Sequence, residues 1–456
     1  MGVNSFLYLA FFICVLLIYY VLPADKRVYF LLPAGFVFYL TWDWKYAIAL
    51  AGVVVISWFG GTRGRGTILC IILLVLALLA LRLLPYDHLI TPIGFSFYTL
   101  QAIGYLMDVR SGKVKPEENF FIYVLYISFF PTVVAGPIQR ADGLLKMLKE
   151  KTDFDYSEIR RGLLMIAYGF FAKNFVADRL GYIVDRAYGG YADNTGFTLL
   201  VGVVLYAFQL YCDFLGYSYI ALGSARAFGF KLDDNFRQPY FSASVKEFWS
   251  RWHISLSSWL RDYVYFPLGG SRKGRARTLI NIFIVFVVSG IWHGRGLTFL
   301  FWGALHGLFR VVEEVVGKKN STGTPTGKNT AVHVLKVLLT FAGVDFAWLF
   351  FRAESLPQAF GIIKRIICNF DLSLSLSTGC YTFGIAKKEV LVWLLGLLIV
   401  LVIDLIHEKG VHVSGWLEKR SAALRWCFYT VFLAFMTFSF IYYYGYSASN
   451  FIYAGF

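Results

Sequence analysis

Apolar stretches recur along this chain near residues 4–22, 28–41, 46–59, 67–84, 90–107, 119–136, 161–178, 197–223, 278–296, 298–316, 332–351, 388–406 and 426–446. About 20 apolar residues match the thickness of a bilayer's hydrocarbon core. No water reaches backbone N–H and C=O groups there, and an α-helix satisfies them within one segment. An all-α polytopic membrane protein follows, with roughly eleven to thirteen membrane elements, the shortest pairing or re-entering. Composition agrees, since 16% of the 456 residues are charged, against about 25% in soluble domains. The first run, "NSFLYLAFFICVLLIYYVLP", has no basic leader and no small-residue cleavage site, and reads as a retained helix. No period of 20–50 residues repeats, which disfavours a solenoid or an inverted-repeat transporter.

The net charge of +15 points to nucleic acid only if the basic residues share a face. They sit instead in short loops: "ADKR" (24–27), "GTRGRG" (61–66), "DVRSGKVK" (108–115), "SRKGRAR" (271–277), 316–330 and 407–425. Those loops read as cytoplasmic, whereas "DLSLSLSTGCYTFG" (371–384) reads as external. Parity then places both termini outside. Between residues 119 and 200 the alternation breaks down. "FFPTVVAGPIQR" (129–140) sets Pro131 and Pro137 in an apolar stretch, and broken backbone at membrane depth survives only when buried in protein or lining a cavity. A re-entrant segment is expected there. Cys14, Cys70, Cys212 and Cys427 lie in apolar runs and read as small buried hydrophobes, and a Cys368–Cys380 disulfide is not favoured.

Polar side chains within apolar runs are the first candidates for function. His293 closes "LINIFIVFVVSGIWH", which holds no other ionisable side chain. Fifteen residues from the cytoplasmic end put it roughly 22 Å up a core of roughly 30 Å. Ser289 shares its face, and Gly290 and Gly294 admit another backbone or a substrate. Desolvation favours the neutral imidazole, the form that accepts a proton; a core histidine bonded across helices would show the same spacing. Upstream, 244–270 reads as one amphipathic helix. Phe248, Trp252, Leu256, Trp259, Leu260 and Tyr263 make its apolar stripe, and Lys246, Ser250, His253, Ser257 and Arg261 a polar one. It suits either a wet cavity or the headgroup level. Gln209, Asp213 and Tyr217 form a further polar stripe, in which Asp213 must be paired or protonated. His306 reads as a helix-packing histidine, and His88, His333, His407 and His412 as residues of loop edges. No phosphate-loop, zinc-protease or serine-hydrolase motif occurs, and no metal site is expected.

"RWHISLSSWLRDYVYFPLGGSR" (251–272) and "VSGIWHGRGLTFLFWGALHG" (288–307) resemble the membrane-bound O-acyltransferase family. So do "FFPTVVAGPIQR", "LYCDFLGYSYIALG" (210–223) and "NFRQPYFSASVKEFWSRWHISLS" (235–257), and the similarity is strongest to the branch containing alginate O-acetylase and peptidoglycan O-acetyltransferase. The resemblance implies a single membrane domain of about eleven transmembrane helices, with re-entrant and horizontal helices around a central tunnel. It implies a catalytic His293, with His253 accompanying it and Arg251, Trp292, Ser289, Gln209 and Asp213 on the tunnel or its motifs. The implied donor is cytoplasmic acetyl-CoA, or, in the D-alanylating branch, a phosphopantetheine carrier protein. No permanently bound cofactor is implied. The acceptor would be an extracellular glycan served by a separate SGNH-type, esterase-like transferase, and the location a bacterial cytoplasmic membrane.

In the D-alanylating branch a separate peptide carries a terminal F-x-Y-x-x-F, and here Phe451, Tyr453 and Phe456 supply that pattern within the chain. A phenol has a pKa near 10, so it needs a general base at pH 7, and an acyl-tyrosine keeps a good leaving group. Residues 447–453 extended reach roughly 23 Å, far enough to return from the outer surface toward mid-membrane. The tail 447–456 is therefore expected to be an external acyl relay, against the plainer reading of an aromatic end at the headgroup belt. A glycan or lipid transporter, D-alanyl transfer to teichoic acid and a non-enzymatic scaffold are the competing readings.

Overall fold

The computed structural model describes residues 1–64, 66–83, 92–317, 330–372 and 387–442. Eighteen α-helices run in order among the described residues: α1 Phe6–Val21, α2 Ala24–Leu40, α3 Trp44–Thr62, α4 Thr67–Leu83, α5 Phe95–Arg110, α6 Phe120–Ser128, α7 Tyr156–Phe170, α8 Asp178–Gly189, α9 Gly196–Ala227, α10 Val245–Arg251, α11 Ile254–Leu260, α12 Arg275–His293, α13 Leu297–Gly317, α14 Thr330–Arg352, α15 Leu356–Cys368, α16 Lys387–Glu408, α17 Val413–Glu418 and α18 Ala422–Tyr442, with α7 and α8 joined by a π-helical stretch Phe171–Ala177.

 Side chains that prefer caps begin many of them: Ser5, Asp43, Asn119, Asp155, Thr195, Ser244 and Ser355 each accept a backbone N–H of the first turn.

Five of these helices are long and apolar enough to cross a membrane, and α1, α4 and α18 are shorter apolar helices. The expected eleven to thirteen runs therefore divide in the fold. α5 is an interior helix, buried almost throughout from Phe95 to Leu106. The 119–136 run stops being helical after Ser128. Residues 129–140 are irregular and buried almost to the last residue, as the proline pair demands. Gln101 of α5 holds this segment in place, donating from Nε2 to the Tyr126 carbonyl at 2.6 Å and accepting from Gln139 N–H at 3.4 Å. Gly94 sits at positive φ before α5, and a Cβ there would lie 2.1 Å from the Val133 carbonyl oxygen, so only glycine lets the two backbones meet.

Helices α7 and α9 pack backbone on backbone. A Cβ on Gly162 would meet the Gly223 carbonyl oxygen at 2.5 Å, and one on Gly169 the Gly216 oxygen at 2.6 Å. Small residues seven apart on both partners allow this approach, the usual device where lipid supplies no hydrophobic drive between helices. Gly290 of α12 and Gly303 of α13 meet in the same way, so Gly290 admits a backbone.

Two corrections concern the cysteines and the amphipathic stretch. Cys212 is buried, but Cys14 and Cys427 are exposed and Cys70 only half-buried; a thiol facing lipid needs no protein partner. Cys380 lies outside the described residues. The 244–270 stretch is not one helix. It breaks at Trp252 and His253 between α10 and α11, and a π turn Arg261–Tyr265 follows α11. Trp252 is 1% exposed, its ring set among Phe236, Phe248 and Trp348 at centroid distances of 5.1, 5.5 and 5.1 Å. Burying that indole outweighs keeping one continuous helix.

On the face carrying the 407–425 loop, Arg161 grips Glu418 with two parallel bonds of 2.6 Å, and Arg160 adds a contact at 2.9 Å. Hydrogen bonding to Arg161, then to Arg160, holds the Glu418 carboxyl down at about 2. A depressed carboxyl stabilises the fold above its unfolded value near 4.3, and that stability is lost as pH falls toward the folded value. The thermal midpoint of Glu418→Gln in detergent should lie below wild type at pH 7 by the equivalent of about 0.5–1 kcal/mol. The gap should narrow below about pH 4, as a paired thermal-shift titration would record.

Candidate active site

His253 is the residue at the helix break. Its backbone is left-handed, φ 43° and ψ 55°, a conformation that costs a non-glycine residue and persists only when its surroundings impose it. The preceding loop does so: Arg237 N–H donates to the Arg251 carbonyl at 2.9 Å, and Ile254 N–H to the Asn235 carbonyl at 3.0 Å. The arms on either side of His253 lead away from it. Glu313, near the C-terminal end of α13, caps the start of α10 through Val245 and Lys246 N–H. Asn281, near the start of α12, donates to the Leu268 and Gly270 carbonyls beyond α11. His253 itself meets the opposite end of α12, where its ring lies 6.2 Å from Trp292. The polar-stripe reading of this histidine is thereby corrected, since it is fully buried.

His293 is the last residue of α12 and is 2% exposed. Eighteen residues of rise put it about 27 Å from Arg275. Its ring lies 4.7 Å from Trp292, 4.9 Å from Trp302 of α13 and 5.4 Å from Phe351 of α14. Trp292 therefore meets both imidazoles. Phe97 of α5 stacks on His253 at 6.3 Å and meets Trp292 at 5.8 Å, and Phe214 of α9 presents an edge to His253 at 4.6 Å. Aromatic rings thus hold both imidazoles out of contact with bulk water. Two buried polar groups here, Trp292 Nε1 and Ser289 Oγ, have no hydrogen-bond partner among the described residues, which leaves a donor and a hydroxyl available to a ligand.

A cavity of about 420 Å³ lies beside this centre, walled by Gln139, Arg140, Lys146, Lys231, Asp234 and Ser255, among others. Ser255 Oγ donates to Asn235 Oδ1 at 2.9 Å and lies 3.5 Å from His253 Nδ1, so the cavity comes within one side chain of the histidine. Lys113 of the basic 108–115 loop pairs with Asp142 in the cavity wall at 3.0 Å. Arg140 pairs with Asp262 at 2.9 Å and covers the Tyr263 ring, tying the 129–140 segment to the π turn.

Other residues singled out by sequence fall elsewhere. Arg251 pairs with Glu247 and with Glu408 of α16, each at 2.6 Å, and so clamps two helices together. Gln209 is buried with Oε1 lacking a hydrogen-bond partner among the described residues. Asp213 reaches Lys173 in the π stretch between α7 and α8, 2.5 Å away, while Asp178 holds the same ammonium at 2.5 Å. It ties helices together through that ammonium. His306 accepts from Trp249 Nε1 at 3.3 Å, a bond across helices. Tyr453, Phe451 and Phe456 lie outside the described residues.

Lys173 escaped the sequence reading, although a lysine inside the 161–178 run is a visible signal. Asn235, Phe97 and Phe214 carried no such mark. Lys173→Met should cost about 3–5 kcal/mol, because it strands two buried carboxylates. Thermal unfolding in detergent should show the loss, and adding Asp178→Asn and Asp213→Asn should recover most of it.

Long apolar helices and a buried irregular segment enclose two imidazoles in an aromatic setting beside a polar cavity, the frame of an integral-membrane enzyme. The chain belongs to the membrane-bound O-acyltransferase family, whose profile matches residues 117–322, and it is an acyltransferase. It is 34% identical over 394 residues to the "probable alginate O-acetylase AlgI" of Pseudomonas aeruginosa, covering 80% of this chain and 74% of that one. To the peptidoglycan O-acetyltransferase of Helicobacter pylori it is 35% identical over 306 residues, 61% of this chain and 57% of the relative. The teichoic acid D-alanyltransferase of Bacillus subtilis shares 29% identity over 292 residues, 59% of this chain and 71% of the relative.

Proposed function

We propose that this protein carries an acetyl group from cytoplasmic acetyl-CoA across a bacterial cytoplasmic membrane to a hydroxyl of an extracellular polysaccharide or of peptidoglycan. The observation that carries this reading is the pair of buried imidazoles that both meet Trp292, with His253 one side chain away from a polar cavity. The cavity wall is tied to the basic 108–115 loop through Lys113, and basic loops mark the cytoplasmic side. A thioester entering there has its reacting carbon brought toward the histidines. The relatives named for alginate and peptidoglycan O-acetylation support acetyl as the group and a glycan as the final acceptor.

In the proposed step His293 removes the phenolic proton of Tyr453, with His253 beside it. The phenolate oxygen attacks the acetyl carbonyl, the C–S bond breaks, and the coenzyme A thiolate leaves and takes up a proton from the imidazolium. Chemical balance is complete without a further reactant, and the acetyl-tyrosine retains enough transfer potential to acylate a sugar hydroxyl. That second transfer falls to an extracellular SGNH-type partner. Residues 447–456 then act as the relay tail of a single 1–456 membrane domain with both termini outside.

The test is a transfer assay on the full chain in proteoliposomes supplied with labelled acetyl-CoA. Thioester consumption with label appearing on the protein is the expected result. Inert acetyl-CoA together with reactive D-alanyl carrier protein would overturn the choice of donor, and no thioester chemistry at all would overturn the reading.

A further inference from the structure

Asn235 is 1% exposed and His253 is fully buried, and the two side chains meet. Asn235 Oδ1 lies 3.2 Å from His253 Nδ1. The same Oδ1 accepts Ser255 N–H at 3.2 Å and Ser255 Oγ–H at 2.9 Å. A backbone N–H can only donate, so the atom it faces has to be the amide oxygen and not the amide nitrogen. Nδ2 points the other way and donates to Ser218 Oγ at 3.3 Å. With the amide orientation fixed twice over, the ring nitrogen facing Oδ1 must carry the proton.

Resting on the reading of His253 as part of the active centre, we propose that Asn235 is a positioning residue that sets the tautomer and orientation of His253. It holds the proton on Nδ1 and leaves the lone pair on Nε2. In a neutral imidazole the two nitrogens are a donor and an acceptor, and the hydrogen bond at one decides the role of the other. Asn235 also grips the backbone, since its carbonyl accepts Ile254 N–H. One residue thus fixes the left-handed turn that carries the ring and the protonation pattern of the ring itself. The Phe97 and Phe214 rings limit the imidazole's rotation.

The experiment uses the full chain in nanodiscs with [15N]histidine, His253 being assigned by difference from His253→Gln. Asn235→Leu removes the acceptor at similar size, and Asn235→Asp restores one. In wild type and Asn235→Asp the shifts should report proton on Nδ1 and lone pair on Nε2. Asn235→Leu should show a mixture, with kcat lower by about 100-fold and KM for the thioester changed much less. Asn235→Asp should keep most of kcat and move the acidic limb of the rate profile to higher pH, because a carboxylate beside Nδ1 favours the imidazolium. A single unchanged tautomer in Asn235→Leu would overturn the inference. So would equal losses in both variants with an unshifted acidic limb, the mark of a purely structural residue. If His253→Gln retains wild-type kcat, the reading of the active centre falls, and the nitrogen shifts alone then decide whether Asn235 sets the tautomer.

Discussion

His293→Ala should lower acetyl transfer by about a thousandfold while leaving the protein folded and able to bind thioester. General-base assistance contributes roughly 10²–10⁴-fold, and a phenol with a pKa near 10 is ionised in only about one molecule in a thousand at pH 7. The substitution removes a ring from a packed setting of Trp292, Trp302 and Phe351, so some instability is expected as well. His293→Gln controls for this, since it keeps volume and a polar group but accepts no proton at neutral pH. If His293 only ties helices together, Gln should restore most of the activity. If it is the base, both variants should be inactive and Gln alone should regain a wild-type thermal midpoint. Labelled acetyl-CoA and a thermal-shift assay on the same samples give both readouts.

Tyr453→Phe should abolish acetylation of the external acceptor, by at least about a hundredfold, with no change in stability. The substitution deletes one oxygen from the side chain and preserves its aromatic body, so the change in volume gives no reason for a loss. Chemistry gives one, because without the phenol no acyl-enzyme can form on the tail. Mass spectrometry of the C-terminal peptide supplies an independent arm. Donor in excess with no acceptor should add the mass of one acetyl group to the wild-type peptide and none to Tyr453→Phe or His293→Ala. External acetylation that survives in Tyr453→Phe would sink the relay while leaving His293 as a base for direct transfer.

Much of this was legible from the chain because lipid imposes strict rules. Helices, the buried break after Ser128 and the isolation of His293 all follow from the absence of water at depth. His253 shows where such reading stops. Its spacing placed it on a polar stripe, but periodicity presumes an unbroken helix. The break at Trp252 arises from contacts with Phe236 and Trp348, which lie sixteen residues before and almost a hundred after it. Asn235 was silent for the same reason, since a loop asparagine gains meaning only from the ring it faces. Asp213 was the intermediate case. Its need for a partner was readable, whereas Lys173 as that partner depended on the close approach of α7 and α9 that paired glycines permit.

The Lys173 triad also bears on how the chain enters the membrane. Lys173 and Asp178 leave the ribosome 40 and 35 residues before Asp213, and in the folded state they pair with each other. α9 arrives afterward with a carboxylate that a translocon would release into lipid only at a cost of a few kcal/mol. The waiting ammonium offsets that cost, provided α7 has not yet diffused away. α9 is therefore best released as a unit with α7 and the π stretch that carries Lys173, and biogenesis, as much as stability, is served by a lysine set within an apolar run.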